Sequence, residues 1–169
     1  MFGVLVNFHM YYFPIPLGCF SRDFVGPIVR IQGNMDAPMY RDILSTHMLP
    51  FARERLAQGW EFQQDNDPKH KSTLMMGSIR PLKWGWFSRN GVMLLKTPPF
   101  SPDLNPIEHL WHHVKTKLRG RRFGNGGESS AAIEEEWKKI PIDYLIKLVD
   151  SMPRRCERIL KANGYASKY

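Results

Sequence analysis

Residues 61–68 read EFQQDNDP, and this stretch decides the fold because a short strand-forming run passes directly into a polar turn. The run Glu61-Phe62-Gln63-Gln64 predicts a strand, and Asp65 stands where that strand ends. Strand ends are the places where α/β sheets assemble their sites, so Asp65 is a candidate functional carboxylate. Asp65 and Asp67 are also common turn formers, which is the alternative interpretation of the same residues.

A second stretch, residues 104–118, predicts the helix that follows the next strand. Asn105 can cap it, Pro106 fits the first helical position, and Glu108 falls at the third. Apolar residues recur on one side at spacings of four, three and four, which is typical of a helix that packs on a core: Ile107, Trp111, Val114 and Leu118. Glu108 therefore lies in the first turn of a helix, where its alternative role is to close a capping box.

Asp65 and Glu108 can face each other if their two elements reach the same edge of one sheet. Carboxylate oxygens are hard ligands, which suit Mg²⁺ or Mn²⁺. Paired ions of this kind activate a water or hydroxyl group and stabilise the leaving oxygen in phosphoryl transfer. The spacing alone favours the turn and capping roles over a metal site.

The remaining pattern predicts an α/β domain. Residues 11–20 and 25–32 predict strands joined by a turn at residues 21–23, and residues 92–95 predict another strand. A helix begins after the capping residue Asp36 and continues to about residue 57. Further helices are predicted for residues 131–139, 142–150 and 151–162. We therefore expect a mixed sheet with flanking helices and a helical C-terminal tail from about residue 129.

Composition limits the classes of function. The chain has 169 residues, which suits one domain, and 24 Lys and Arg against 16 Asp and Glu give a net charge of +8. That excess favours an anionic partner, nucleic acid before an anionic membrane surface. No stretch approaches the ~18 apolar residues of an ordinary spanning helix, so no membrane partner is expected. Two cysteines are too few for a disulfide framework or a four-ligand zinc site.

Basic residues cluster after each of the two carboxylates. Five cations fall in eight positions, namely Lys115, Lys117, Arg119, Arg121 and Arg122, and Lys69 and Lys71 follow Asp65. Contact with nucleic-acid phosphates is one interpretation of these cations, and a solvated helix end favoured by the helix dipole is the other. Three nearby aromatic residues could stack on bases or pack in the core: Trp84, Trp86 and Phe87.

Two longer motifs make the sequence specific. The first is QQDNDPKH at residues 63–70, and the second is SPDLNPIEHLW at residues 101–111. Together with GCFS at residues 18–21, GPIVRI at residues 26–31 and the C-terminal residues 151–169, they resemble Tc/mariner-superfamily transposases. The motifs follow the family's order, and the similarity covers roughly residues 17–169.

The resemblance implies an RNase H-like catalytic domain of the DDE type. Three acidic residues of that domain hold two divalent ions, Mg²⁺ or Mn²⁺, which drive cleavage and joining of transposon DNA. Asp65 matches the second acidic residue and Glu108 the third, so both are expected to be catalytic metal ligands. Asn66, Asp67 and His70 match the surroundings of the second acidic residue and are expected to support the site.

The resemblance also implies the partners and the setting. The expected partner is DNA, both transposon ends and target DNA, with no small-molecule substrate. A homodimer is a candidate assembly, and the nucleus is the expected location.

Three departures from the family pattern bear on activity. The first catalytic Asp belongs on a first strand upstream of residues 18–20, and this sequence starts too late to contain it. Asn7, within VLVNF at residues 4–8, is neutral and a poor replacement. The family's N-terminal helix-turn-helix modules, which read transposon ends, have no counterpart here. Asp65 and Glu108 are separated by 42 residues instead of the family's mid-thirties, with the excess expected within residues 77–86.

We therefore expect residues 1–169 to be a single truncated DDE transposase domain without catalytic activity. One alternative is a non-enzymatic nucleic-acid-binding protein derived from a transposase. A third hypothesis has a partner chain supply the missing acid. Because the first strand is central in this fold, residues 1–10 are expected either to take its place or to leave two strand edges open.

Overall fold

The computed structural model describes residues 4–9, 16–65, 67–80, 82–97 and 104–161, with the backbone alone for residues 4–9. The strands in this part are β1 (Val4–His9), β2 (Pro16–Phe20), β3 (Val25–Arg30), β4 (Glu61–Gln63), β5 (Gly77–Ser78), β6 (Lys83–Trp84) and β7 (Met93–Leu94). The helices are α1 (Ala37–Ile43), α2 (Leu49–Arg55), α3 (Thr73–Met76), α4 (Trp86–Arg89), α5 (Ile107–Leu118), α6 (Gly126–Lys138), α7 (Ile142–Asp150) and α8 (Met152–Lys161). A π-helical turn, Leu44–Met48, joins α1 to α2. None of these helices has the length and apolar character needed to cross a membrane.

Five strands form the main sheet, in the order β3-β2-β1-β4-β7. β1 is antiparallel to β2 and parallel to β4, with Val6 in register with Gln63. β7 is parallel to β4 on the other side of that strand. The sheet is therefore mixed, as predicted. β1 takes the central place and pairs along both of its edges, which is the first of the two outcomes expected for residues 1–10.

One face of the sheet is covered by the helical segment from α1 to α2. Asp36 caps α1 as predicted, because its Oδ1 accepts a hydrogen bond of 2.8 Å from the amide of Met39. Buried side chains of this segment share a core with Phe62 of β4. Trp86 and Phe87 of α4 join the same core, so two of the three aromatic residues considered for base stacking are core residues instead.

The opposite face is covered by α5 and α6. The apolar stripe predicted for α5 packs here, and Trp111 of α5 stacks on Trp137 of α6 with the ring centroids 4.6 Å apart. Both rings lie against Gly18 in β2, where an added Cβ atom would sit 3.0 Å from Trp111 and 3.1 Å from Trp137. Since buried rings in a close-packed core have little room to shift, Gly18 sets how closely the two helices approach the sheet.

α7 spans Ile142–Asp150 as predicted, and α8 begins directly after Ser151, whereas α6 begins five residues earlier than predicted. α6 starts at Gly126 because the Asn125 side chain caps it, accepting two backbone hydrogen bonds of 2.8 and 3.0 Å within the first turn. The indole Nε1 of Trp137 donates to the carbonyl of Gly26 in β3 at 2.9 Å. The predicted helical C-terminal segment therefore begins with a helix, α6, that is hydrogen-bonded to the sheet and covers part of it.

β5 and β6 form a small hairpin between α3 and α4. β5 pairs antiparallel with β6, and Gly77 lies opposite Trp84. These two strands make a sheet of their own. The sequence analysis expected excess chain within residues 77–86, and the structure has a hairpin there that is looped out of the main sheet.

We expect Gly18→Ala to lower the free energy of unfolding by about 1–3 kcal/mol, the usual cost of overpacking a core. The new methyl group would press on the stacked rings of Trp111 and Trp137. Urea denaturation measures the change. In a Trp111→Phe background, where one of the two rings is smaller, the same substitution should cost less. An equal cost in both backgrounds would contradict the close contact.

Candidate active site

The parallel strands β1, β4 and β7 bring their carboxyl ends to one edge of the sheet. Asp65 comes two positions after Gln63, the last residue of β4, so it lies at this edge as the sequence predicted. The Asp65 side chain is partly exposed there. In open α/β sheets the carboxyl edge is the place where ligands bind.

A buried hydrogen bond brings the start of α5 to the same edge. Nε2 of Gln63 donates to the carbonyl of Leu104 at 2.7 Å and thereby joins the end of β4 to the segment before α5. Breaking this bond would leave a buried polar group without a partner, which is costly. Glu108 lies in the first turn of α5, so the bond holds it close to the end of β4.

The start of α5 differs from the prediction in its capping. The N-cap residue is Pro106, which already has a helical backbone conformation, and no side chain caps the helix. Asn105, the predicted cap, has a buried Oδ1 with no hydrogen-bond partner among the described residues. Glu108 is therefore at the second helical position, and Pro106 has no amide hydrogen with which it could close a capping box. A capping box between Glu108 and Pro106 is therefore excluded.

Asp65 is held by polar contacts within its own turn. Its Oδ1 accepts hydrogen bonds from Nδ1 of His70 and, at 3.2 Å, from the amide of Asp67. An ionised carboxylate can only accept, so Nδ1 of His70 carries the proton in this contact. His70 is fully buried, and its ring stacks on Tyr40 with the centroids 3.9 Å apart.

Tyr40 and Gln64 extend this network to α1. The Tyr40 hydroxyl donates to Oε1 of Gln64 at 2.9 Å, and Nε2 of Gln64 donates to the carbonyl of His70 at 3.5 Å. His70 is therefore held by the stacking of its ring on Tyr40 and by the hydrogen bond from Gln64 to its carbonyl. Its Nδ1 in turn orients Asp65. A fixed second layer of this kind is what a metal-binding carboxylate needs.

Two of the three predicted supporting residues lie within the described part of the chain. His70 and Asp67 both contact Asp65, and Asp67 also closes the turn by accepting a hydrogen bond of 2.8 Å from the amide of Lys69. The turn-forming role considered for Asp67 is therefore real, and it operates together with a contact to Asp65. Asn66 lies outside the described residues.

Glu108 is a half-buried carboxylate in an environment that disfavours its charge. Burial is the largest cause, and it raises the pKa of Glu108 above the usual range for a glutamate. The positive charge of Lys115 lowers the pKa of Glu108, and the negative charge of Asp65 raises it. The charge of Asp65 is thus one of the causes that raise the pKa of Glu108. A metal site shared by the two carboxylates stays a prediction.

The described residues offer a divalent ion two carboxylates. Asp65 and Glu108 both carry hard oxygen donors, the ligand type that Mg²⁺ and Mn²⁺ take. Within the described part, no three or more His, Cys, Asp and Glu side chains come together as a metal site. β1, the strand that pairs with β4, has the sequence VLVNFH and contains no Asp or Glu. A two-ion site therefore lacks a third carboxylate among these residues.

The candidate nucleic-acid contacts are largely exposed. Lys69 is only partly exposed, and its Nζ lies 3.4 Å from Oδ2 of Asp67. The Arg121 guanidinium lies over the Phe123 ring, 5.5 Å from the ring centroid. Lys115 acts electrostatically on Glu108, which places that cation near the carboxylate pair. The remaining candidates all have exposed side chains: Lys71, Lys117, Arg119 and Arg122.

Gln63 and Tyr40 have roles in the site that were not predicted from the sequence. Gln63 positions α5, and Tyr40 supports His70 from a helix distant in sequence. A signal for the first was present, because two adjacent glutamines in an otherwise buried strand must find hydrogen-bond partners inside the protein. The sequence offered no such signal for Tyr40, whose position depends on how α1 packs on the sheet.

A family model for the DDE superfamily endonucleases matches residues 23–129 of the chain. The match spans β4, α5 and both carboxylates.

This chain belongs to that superfamily.

Curated relatives place it more narrowly. The chain is 47% identical over 152 residues to the transposable element Tcb1 transposase of Caenorhabditis briggsae, and 46% identical over 152 residues to the Tc1 transposase of Caenorhabditis elegans. Each match covers 90% of this chain and 53% of the relative, so the chain spans about half the length of the curated relatives it matches. The chain is a DDE endonuclease-superfamily member of the Tc/mariner transposase type, as its motifs indicated.

Solved structures confirm the fold. The Mos1 transposase catalytic domain solved with Raltegravir and Mg superposes with a TM-score of 0.80 at 16% identity, covering 98% of this chain and 85% of that chain. A Mos1 paired-end complex with the left transposon end gives a TM-score of 0.82 at 14% identity, covering 98% of this chain and 56% of that chain. The predicted RNase H-like DDE fold is therefore confirmed.

We expect Glu108→Gln to raise the thermal stability of the metal-free protein at about pH 7.5, because the folded state then no longer holds a penalised charge. A carboxyl group whose pKa is raised by folding loses stabilisation as the pH rises from its unfolded pKa through its folded pKa. The gain in Tm should therefore shrink as the pH falls towards the ordinary glutamate pKa of about 4.3, where the native carboxyl group takes up its proton.

Thermal unfolding in the presence of EDTA across this pH range measures the effect. Glu157→Gln removes an exposed carboxylate on α8 and is the matched control, with little expected change in Tm. A Glu108→Gln variant that is less stable than the native chain near pH 7.5 would contradict the electrostatic assignment.

Proposed function

We propose that this chain binds DNA and holds a divalent ion between Asp65 and Glu108, but does not cut DNA unaided. The observation that carries the proposal is the hydrogen bond from Gln63 to the Leu104 carbonyl, which holds the first turn of α5, with Glu108, near the end of β4, where Asp65 lies. In this view the chain retains the DNA-handling surface and part of the metal site of a transposase catalytic domain. Its parent activity would be metal-dependent cleavage and transfer of transposon DNA.

The choice of metal rests on the donors and on the relatives. Both donors are carboxylates, which Mg²⁺ and Mn²⁺ accept, and the similar Mos1 catalytic domain was solved with Mg and with Mn. When bound, such an ion activates an attacking water or hydroxyl group and stabilises the leaving oxygen. His70 would keep Asp65 in one orientation, and the Gln63–Leu104 hydrogen bond would keep Glu108 opposite it.

The DNA partner rests on charge and on the relatives. The chain carries a net charge of +8, and exposed cations continue along and beyond α5 from Lys115 to Arg122. Similar Mos1 structures include paired-end complexes with transposon ends. Because Lys115 lies near Glu108, a phosphate backbone held by these cations would pass the carboxylate pair. Transposon ends and target DNA as binding partners, a homodimer and a nuclear location are part of the same proposal.

The proposed inactivity rests on β1. This strand lies at the centre of the sheet beside β4, and it presents no carboxylate at the positions level with the end of β4. Two carboxylates can hold one ion, but they leave a second ion without enough ligands to stabilise both the attacking and the leaving oxygen. A non-enzymatic DNA-binding protein that binds no metal is therefore the second candidate function. The two candidates differ in whether Asp65 and Glu108 bind a divalent ion.

A plasmid-nicking assay tests the activity. We expect the native chain with Mn²⁺ to nick supercoiled plasmid no faster than Asp65→Ala or Glu108→Ala, while Mn²⁺ raises the Tm of the native chain and not that of Glu108→Ala. Nicking by the native chain that both substitutions abolish would overturn the proposed inactivity. A Tm that does not respond to Mn²⁺ would overturn the metal site and favour the non-enzymatic alternative.

The same assay can test why the site is incomplete. The parallel register pairs Val6 with Gln63, and Asn7 and Phe8 are the next two residues of β1, as Gln64 and Asp65 are the next two after β4. Asn7→Asp or Phe8→Asp would supply a carboxylate there, and we expect Mn²⁺-dependent nicking to appear in at least one of them. Glu108→Ala added to that variant is the control and should remove the activity.

A salt titration tests the DNA surface. Each phosphate contact contributes about 0.9 to the slope of log K against log salt concentration, so Lys115→Ala and Arg119→Ala should each reduce that slope by about one. Binding of a labelled duplex measured by fluorescence anisotropy gives the slope. Lys138→Ala is the matched control, because Lys138 is exposed but is paired with Glu134 at 2.6 Å. Slopes that match the control would contradict the assigned surface.

A further inference from the structure

The hairpin of residues 77–84 carries an unusual surface. Its apolar side chains project into solvent, with Ile79 87%, Leu82 74% and Trp84 68% exposed. With Met76 at its base, it holds four of the seven exposed large apolar side chains in the described part of the chain. A looped-out segment would ordinarily be polar, so this concentration of apolar surface indicates a contact site.

The base of the hairpin is closed by two glycines. A Cβ atom on Gly85 would lie 2.3 Å from the carbonyl carbon of Met76 and 2.3 Å from the amide nitrogen of Gly77. Gly77 also has a positive φ of 84°, which other residues rarely adopt. The chain therefore leaves α3 and enters α4 at nearly the same point, and the hairpin stands on the domain without contributing to its core.

The charge of this region is one-sided. Residues 68–102 contain six Lys and Arg and no Asp or Glu. Two of these cations, Arg80 and Lys83, are exposed on the hairpin beside Trp84. They line a shallow groove of about 790 Å³ together with Met76, Ile79, Leu82 and Trp84.

We propose that this hairpin is a separate contact site for a nucleic-acid strand with unpaired bases. Arg80 and Lys83 would neutralise phosphates, and Trp84 would stack on a base that is not paired. Exposed aromatic rings next to cations suit such a strand, since duplex DNA keeps its base faces covered. A second copy of this chain is the less suitable occupant, because it would bring the same positive charge to the contact.

The proposal takes from the proposed function only that nucleic acid is the partner. Its residues are distinct from Asp65, Glu108 and the cations of α5. The salt titration of Lys115 and Arg119 variants tests the duplex surface, while variants of the hairpin test this site alone. Failure of one therefore leaves the other standing.

The test compares Trp84→Ala with the native chain on a labelled single-stranded oligothymidylate and on a duplex. Loss of one stacked base should weaken single-strand binding about tenfold and leave duplex binding within about twofold. Leu160→Ala removes another exposed apolar side chain and is the matched control. Arg80→Ala with Lys83→Ala should lower the salt dependence of single-strand binding, with Lys147→Ala as the control. Unchanged single-strand affinity in Trp84→Ala would overturn the proposal.

Deletion of residues 77–84 provides an independent measurement. It joins Met76 to Gly85, which are already in contact. The deletion should keep the cooperative unfolding transition and duplex binding, and should weaken single-strand binding at least as much as Trp84→Ala does. If the deletion does not fold, the Trp84→Ala comparison decides the question by itself. Sedimentation that shows a dimer in the native chain and a monomer in Trp84→Ala would assign the surface to a second copy and overturn the proposal.

Discussion

The close approach of α5 to the sheet is the constraint on which the site depends. Gly18 has no side chain, so the rings of Trp111 and Trp137 can lie directly against β2, and this contact fixes the height of α5 above the strands. The hydrogen bond from Gln63 to Leu104 then fixes where α5 begins relative to the end of β4. Packing and one buried hydrogen bond together place a carboxylate of a helix beside a carboxylate of a strand.

The arrangement works against the stability of the metal-free protein. Glu108 is partly desolvated and faces the negative charge of Asp65, and both effects disfavour its ionised form. Asp65, by contrast, is anchored by His70 and the Asp67 amide, so it cannot turn away from Glu108 without losing those contacts. A carboxylate whose charge is disfavoured by burial and repulsion, beside another that is held by hydrogen bonds, is typical of a ligand-binding site.

Sequence reasoning recovered the elements whose signals are local. The stripe of α5, the Asp36 cap and the strand before Asp65 each follow from a short pattern, and the motifs around Asp65 and Glu108 identified the family. The Asn105 cap was wrong because the Pro106 backbone is already helical and the Asn105 side chain is buried. The contacts of Tyr40 with His70 and Gln64 could not be predicted, because they depend on how distant segments pack. The central place of β1 was foreseen only as one of two outcomes, since an apolar run does not show which strand edges it will pair with.

Because the two ends of the hairpin are in contact, the length of the hairpin does not affect where Glu108 lies relative to Asp65. Without residues 77–84, 34 residues instead of 42 would lie between Asp65 and Glu108, yet the ends to be joined already touch. A segment that departs and returns at one point can grow or shrink at little cost, because the entropy of closing a loop rises only slowly with its length. This position is thus permissive for grafted peptides or whole inserted domains, and linear distance between the two acids is a poor guide to whether they meet in space.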